Sequence, residues 1–363
     1  MTTGEAHPSG SSAGSDGSAG SAAGPGAASG AGPEARASEA TPVLAPLLLL
    51  TVAAGALISV QARINAALAL RIDSAVLSAA LSFGVGLLML ATVAVVVPRA
   101  RRTLRGARWG QARPWYFLGG LGGAAAVTSA AAAVPVTGTA AFTVAIVSGQ
   151  VVGGLLVDRV GLGPGGMRAL TRARVLGAVL AVCAIVVSAV GKHESGSTAA
   201  VSAALSASVL LVLAGAAGVG VSAQQAVNGR LRVATGSVLA ATVVNFVIGT
   251  LALATLWLLL TSQGASAQPL PGQWWLYLGG PIGVAFIAMM AFVVPTIGVF
   301  RQGLAVLAGM LTGALLLDLW VPAEAAGRPG PATFAGIALA VLAVGVVGRE
   351  QRSVVRPSRR GGV

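Results

Sequence analysis

Long apolar runs broken by short polar ones dominate this chain. Ten runs stand out, at about 43 to 68, 75 to 97, 115 to 134, 138 to 157, 175 to 191, 203 to 228, 236 to 260, 274 to 294, 298 to 317 and 332 to 348. A bilayer core about 30 Å thick is crossed by about 20 residues of helix, and about 17 still suffice. Each run therefore predicts a membrane-crossing helix, because a lone strand would leave its backbone groups unpaired in lipid. Barrel strands would be shorter and would alternate.

The runs fall into two sets that repeat each other. Ser59, Gln61, Asn65, Phe83 and Gly86 match Ser222, Gln224, Asn228, Phe246 and Gly249, all 163 residues apart. Farther on, Trp115, Gly119, Gly120, Pro135, Gly138, Gly149, Gly153 and Asp158 match Trp275, Gly279, Gly280, Pro295, Gly298, Gly309, Gly313 and Asp318, all 160 apart. This predicts a first five-helix unit at 43–191, a linker at 192–202 and a second unit at 203–348. Residues 1–42, nearly all Gly, Ser, Ala and Pro, form a tail too poor in apolar side chains to order itself. It has no basic segment ahead of a short apolar one, so the first run is expected to remain as a helix. Residues 349–363 form a basic tail.

Charge then orients the units. Residues 99 to 113 carry six arginines, whereas the equivalent stretch 261 to 273 carries no charge. With ten spans, eighteen basic residues fall on the side of the N-terminus and four, Arg63, Arg71, Lys192 and Arg328, on the other. Arg301 is unassigned. Positive residues mark the cytoplasmic side, so both termini are expected there. Five helices per unit is odd, and the second unit must enter the membrane from the opposite side. The expected fold is an all-α polytopic membrane protein of ten transmembrane helices in two inverted repeats.

Composition agrees and narrows the chemistry. The chain is 55% apolar and 9% charged, too apolar for a soluble domain, where about a quarter of residues are charged. The net charge of +13 clusters beside apolar runs, which argues for membrane orientation and against nucleic acid. The single cysteine, Cys183, lies in an apolar run, and His7 and His193 fall in a tail and the linker. Neither a metal site, nor a cofactor, nor catalysis is expected from so few groups.

Several residues within the runs do ask for a role. Gln61 and Asn65 share a helix face, as do Gln224 and Asn228, with Gln225 beside them. Buried amides need partners: these patches either clamp helices together or line a cavity for a small-molecule substrate. Gln150 and Asn245 stand opposite Met310 and Ser82 in the other half, and could tune selectivity or simply pack. Arg63, near the outer end of its helix, is expected to snorkel to the interface. Asp158 and Asp318 end equivalent helices, where an acid sits at the unfavourable pole of the dipole. They read as interfacial anchors, with Arg159 a candidate partner for Asp158, or as parts of a gate. The steps Gly119–Gly123, Gly149–Gly153, Gly279–Gly283 and Gly309–Gly313 let helices approach closely, within the fold or across a homodimer. Pro135 and Pro295, in matching V-P-x-x-G segments, predict tight hairpin connections.

Taken together, the Gly55–Asn65 run with its Q-x-x-x-N, its echo at Gln224–Asn228, the V-P-x-x-G segments and S-G-Q-V-V-G-G-L-L-V-D-R-V-G from Ser148 to Gly161 resemble the drug/metabolite transporter superfamily, and within it the YdcZ-like bacterial inner-membrane family. The resemblance covers about 43 to 348 and implies a carrier or exporter of small metabolites, made of two fused five-helix units, in the bacterial inner membrane. The second copy departs from the pattern: Met310 replaces the Gln, and Asp318-Leu319-Trp320 is not followed by Gly. The chain also lacks the first-helix glutamate of small multidrug resistance relatives, so their proton-coupled export is not implied. The functional expectation is a secondary transporter with alternating access. Its rival is a nontransporting scaffold or partner subunit held through the glycine faces.

Overall fold

The computed structural model describes residues 41–167, 169–190, 198–322 and 327–355. The expected tail with His7 and Arg36, Arg168, the linker residues Lys192, His193 and Glu194, Glu324, and Arg356, Arg359 and Arg360 lie outside the described residues. The fold of the described residues is all-helical, and from Val43 onward they belong to one unit. In chain order the α-helices are α1 (Thr41–Ile72), α2 (Ala75–Val96), α3 (Pro98–Arg105), α4 (Gly120–Thr137), α5 (Thr139–Val160), α6 (Arg172–Val190), α7 (Thr198–Thr235), α8 (Val238–Ser262), α9 (Gly279–Trp320) and α10 (Pro331–Val355). Short 3₁₀ turns, Trp109–Gln111, Pro114–Gly119 and Trp274–Tyr277, lead into α4 and α9.

Among the described residues, eight helices are long and apolar enough to cross a membrane, and two apolar helices, Gly279–Met290 and Pro331–Val346, are shorter. Large apolar side chains such as Leu88, Leu156, Leu213, Leu258 and Leu342 are exposed along these helices. In lipid they are solvated rather than stranded. The most apolar window of α5 is 61% buried within the protein, against 22–39% for the other seven long spans. The α5 helix is therefore central, and it packs on α6, α7, α9 and α10.

The corners after α1 and α7 are built alike. The chain turns through a left-handed residue, Asp73 (φ 53) or Gly236 (φ 72). A serine then caps the next helix, Ser74 Oγ accepting from Leu77 N and Ser237 Oγ from Ala240 N, each at 3.1 Å. Sequence places these pairs 163 apart, and the repeat extends to backbone detail.

The V-P-x-x-G segments do reverse the chain tightly, but each keeps its proline within helical backbone. In the first, Pro135 lies within α4 and the break comes at Gly138, whose φ of 83° suits a residue without Cβ. In the second, helical backbone runs unbroken from Gly279 to Trp320. That run is nonetheless folded back, because Gln302 Nε2 donates to the Met290 carbonyl at 3.0 Å. Twelve residues of straight helix would separate the two by about 18 Å. Neighbours agree: Gly279 and Gly283 face Asn65 and Gln61, running against α1, whereas Gly309 and Gly313 face Val52 and Ala56, running with it. Thus the eighth and ninth runs are two legs of α9.

Contacts are exchanged between the halves. Gly119 and Gly123 face Asn228 and Gln224 just as Gly279 and Gly283 face Asn65 and Gln61. Gly149 and Gly153 face Gly215 and Val219 just as Gly309 and Gly313 face Val52 and Ala56. Accordingly α4 runs against α7 and α5 runs with it. Ser222 Oγ donates to the Gln150 carbonyl and Ser59 Oγ to the Met310 carbonyl, both at 2.8 Å.

Candidate functional site

Buried and half-buried amides gather in two places. On the α7–α8 side, Asn245, 4% exposed, offers its Oδ1 to two donors, Gln224 Nε2 at 2.8 Å and Asn228 Nδ2 at 3.0 Å. The glycines Gly119 and Gly123 admit this triad, for a Cβ on either would overlap or crowd the amide it faces. One acceptor oxygen shared by two amide donors fixes all three side chains.

The α1–α2 side has the same geometry without the acceptor. Gln61 and Asn65 face Gly283 and Gly279, but the residue equivalent to Asn245 is Ser82. Asn65 is 1% exposed, and neither its Oδ1 nor its Nδ2 has a hydrogen-bond partner among the described residues. Only its backbone is engaged, the carbonyl accepting from Ser78 Oγ at 2.7 Å. A buried amide left open in this way is destabilising by roughly 1–3 kcal/mol per unsatisfied group. Of the remaining expected amides, Gln225 is exposed, and Gln150 is half-buried, with its backbone carbonyl accepting from Ser222.

Between the clusters, the Phe83 and Phe246 rings meet. Gly123 borders both Gln224 and Phe83, and Gly283 both Gln61 and Phe246. The repeat identified this pair as homologous positions; their meeting belongs to the tertiary structure.

The acids part company. Asp318 is 3% exposed, and its carboxylate accepts from Thr139 N at 3.0 Å and Ala140 N at 2.7 Å. It thereby caps the N-terminus of α5, where backbone donors are free and the dipole favours an anion. Interfacial anchoring is the wrong description of Asp318, since the unfavourable pole of its own helix is offset by the favourable pole of another. Asp158, by contrast, pairs with Arg174 at 2.9 Å, not with its neighbour Arg159. Successive helix residues point in different directions, and Arg174 reaches over from the start of α6.

Arg63 reaches the end of a spanning helix of the other half. Its guanidinium donates to the Val321 carbonyl at the end of α9 and lies 3.9 Å from Asp318. Arg230 does the same at the end of α5, donating to the Gly161 and Leu162 carbonyls. Gly161 and Val321 are equivalent positions, 160 apart, yet Arg63 and Arg230 are not. The cationic clamp on each helix C-terminus is therefore reached from different turns of α1 and α7, which is why a fixed-offset comparison misses it. Sequence reading also passed over Gln302, a buried amide whose counterpart is Phe142. Its polarity within an apolar run was the available signal.

All four paired-glycine steps are occupied within the chain by the opposite half. Clefts are formed elsewhere. One, about 290 Å³, is apolar and lined by α5 and α6 residues including Val152, Val179 and Cys183. Another, about 170 Å³, is lined by Gln111, Tyr116, Pro164, Arg230, Val233 and Ala234. Neither touches the amide clusters. Among the described residues no three His, Cys, Asp or Glu side chains group as metal ligands would.

A family model described as "Putative inner membrane exporter, YdcZ" matches residues 46–187 and again 209–346. No curated protein matches the chain. Among solved structures, one described only as "Crystal structure of protein" is similar at 21% identity and a TM-score of 0.48, covering 88% of this chain and 99% of that one.

Proposed function

The chain belongs to the YdcZ family of multi-pass inner-membrane proteins, and from that premise we propose that it is a secondary transporter that moves a small polar metabolite by alternating access. Its units, 43–191 and 203–348, act as two inverted five-helix repeats giving ten spans, with both termini in the cytoplasm. The observation that carries the reading is the exchange of contacts, in which each half inserts its amides into the glycine face of the other.

Direction supports the inversion. In the first unit, spans alternate in sense, so α5, the fourth, opposes α1. Since α7 runs with α5, it also opposes α1, and the arginine bias of eighteen to four fits the same arrangement. Interfaces built from equivalent pairs make opening on one side nearly equal in energy to opening on the other, which is what alternating access needs.

Gln61, Asn65, Gln224, Asn228 and Asn245 are the proposed cargo contacts, since uncharged amides both donate and accept. In this conformation Asn65 and Asn245 are buried and the other three half-buried, and cargo reaches the buried pair only when a glycine face withdraws. Asp318, bridging α9, α5 and Arg63, is the proposed gate on one side, and Asp158 with Arg174 its counterpart on the other. The scaffold alternative needs free glycine faces, and those faces are filled from within the chain.

The test is uptake into, and release from, proteoliposomes across a panel of small polar metabolites. Wild type is expected to move at least one, and Gln61→Ala and Gln224→Ala to slow it at least about tenfold, the effect of losing about 1.4 kcal/mol of binding. If no solute in the panel moves or binds, the carrier reading fails.

A further inference from the structure

The arginine-rich segment does more than mark a side of the membrane. Helix α3 begins immediately after α2, with Val97 ending one helix and starting the other. Its Ala100 and Leu104 are half-buried and it packs on α2 and α8, while Arg99, Arg101, Arg102 and Arg105 are exposed. Arg108 and Arg113 follow, both exposed, and Trp109 is 38% exposed with its Nε1 donating to the Leu104 carbonyl at 3.2 Å. None of these six arginines has an acidic partner among the described residues, where the ion pairs are Arg63 with Asp318 and Arg174 with Asp158.

Beside them lies the polar cleft of about 170 Å³. Arg108 joins the two features: its N–H donates to the Thr235 carbonyl at 3.1 Å, and its guanidinium borders Gly236, just beyond the lining residues Val233 and Ala234. Arg230 presents a cation there, stacked 5.5 Å over the Trp115 ring. The other half serves as an internal control. At the positions equivalent to Gln111, Tyr116 and Arg230 it carries Pro271, Leu276 and Ala67. The fold thus does not require this polar cleft.

We propose that α3 and this cleft form a binding site for the headgroups of anionic phospholipids, the arginines pairing with lipid phosphates and Gln111, Tyr116 and Arg230 receiving one headgroup. The occupant is a lipid because α3 starts one residue beyond a membrane-spanning helix and packs on it, which sets its arginines at headgroup level. An amphipathic element with an unpaired basic face and an interfacial tryptophan has the chemistry for that surface. The site stands whether or not the chain transports anything.

Native mass spectrometry of the purified full-length protein, given equal dioleoylphosphatidylglycerol and dioleoylphosphatidylcholine, tests it. Wild type should retain the anionic lipid preferentially. Substituting Arg101→Gln, Arg102→Gln and Arg105→Gln together should lower that preference at least about tenfold, and Gln111→Ala with Tyr116→Phe severalfold, while Arg328→Gln leaves it unchanged. Melting in phosphatidylcholine alone identifies any variant that has merely lost its fold, in which case Gln111→Ala with Tyr116→Phe decides. Equal retention of the two lipids by wild type, or an unchanged preference in folded arginine variants, overturns the proposal. Stabilisation by inorganic phosphate equal to that by the anionic lipid overturns it in favour of a free-anion site.

Discussion

The rings of Phe83 and Phe246 pack at a centroid distance of 5.2 Å and an interplanar angle of 41°, and the two residues occupy the same position in their respective repeats. Each ring lies against the other half's glycine, Phe246 on Gly86 and Phe83 on Gly249, so that a Cβ on either glycine would overlap ring carbons. Gly249→Ala should therefore lower stability by roughly 1–3 kcal/mol, as overpacking does. Combining it with Phe83→Leu should recover part of the loss, a coupling that thermal melting of the four proteins of the cycle would measure.

The glycine steps make a sharper contrast between neighbours. A Cβ on Gly149 would collide with the Gly215 backbone carbonyl, which cannot rotate away, whereas one on Gly154 meets nothing within 4 Å. Gly149→Ala should cost about 2 kcal/mol or more, or prevent folding. Gly154→Ala should be neutral or stabilising by up to about 1 kcal/mol, because alanine favours the helix. Equal melting temperatures for the two variants would refute the close-approach argument.

Asp318 and Asp158 are homologous but should not behave alike. Removing the buried cap with Asp318→Ala frees two backbone donors of α5 and leaves Arg63 beside a lost charge, at a cost of about 1–2 kcal/mol. Asp158→Ala breaks an ion pair with a 31% exposed carboxylate and should cost less than about 1 kcal/mol. Chemical or thermal unfolding of the two variants side by side checks the order.

The amide triad predicts a second asymmetry. Asn245→Ala removes the acceptor shared by Gln224 and Asn228 and should cost about 1–3 kcal/mol per stranded donor. Ser82→Ala, at the matching position, breaks no amide pair and should cost less than half as much. A melting series including Asn245→Ser would detect a reversal of this order.

Topology can be read from two loop positions. Single cysteines at Thr103 and Ser266, introduced with Cys183→Ala, should react with an impermeant thiol reagent from opposite sides of the membrane. Labelling of both from one side would rule out the inverted arrangement.

Much of this was legible in one dimension. Apolar runs marked the helices because lipid forces backbone polar groups to bond within their own segment, and fixed-offset identities exposed two repeat units, both matched by the family model. The amides at 61, 65, 224 and 228 were visible because polar groups in apolar runs need a reason. The tertiary structure alone decided who partners whom. It turned Asp318 from an interfacial acid into the cap of a distant helix, set Arg63 on the end of α9, and folded α9 back where helical backbone itself is continuous. It also joined Asn245 to two amides while leaving Asn65 without a partner. Such outcomes depend on groups more than a hundred residues away, or on which face of a helix meets another. Hydrophobic periodicity constrains each segment's own hydrogen bonds and burial, but contains no term for the approach of two helix ends in space.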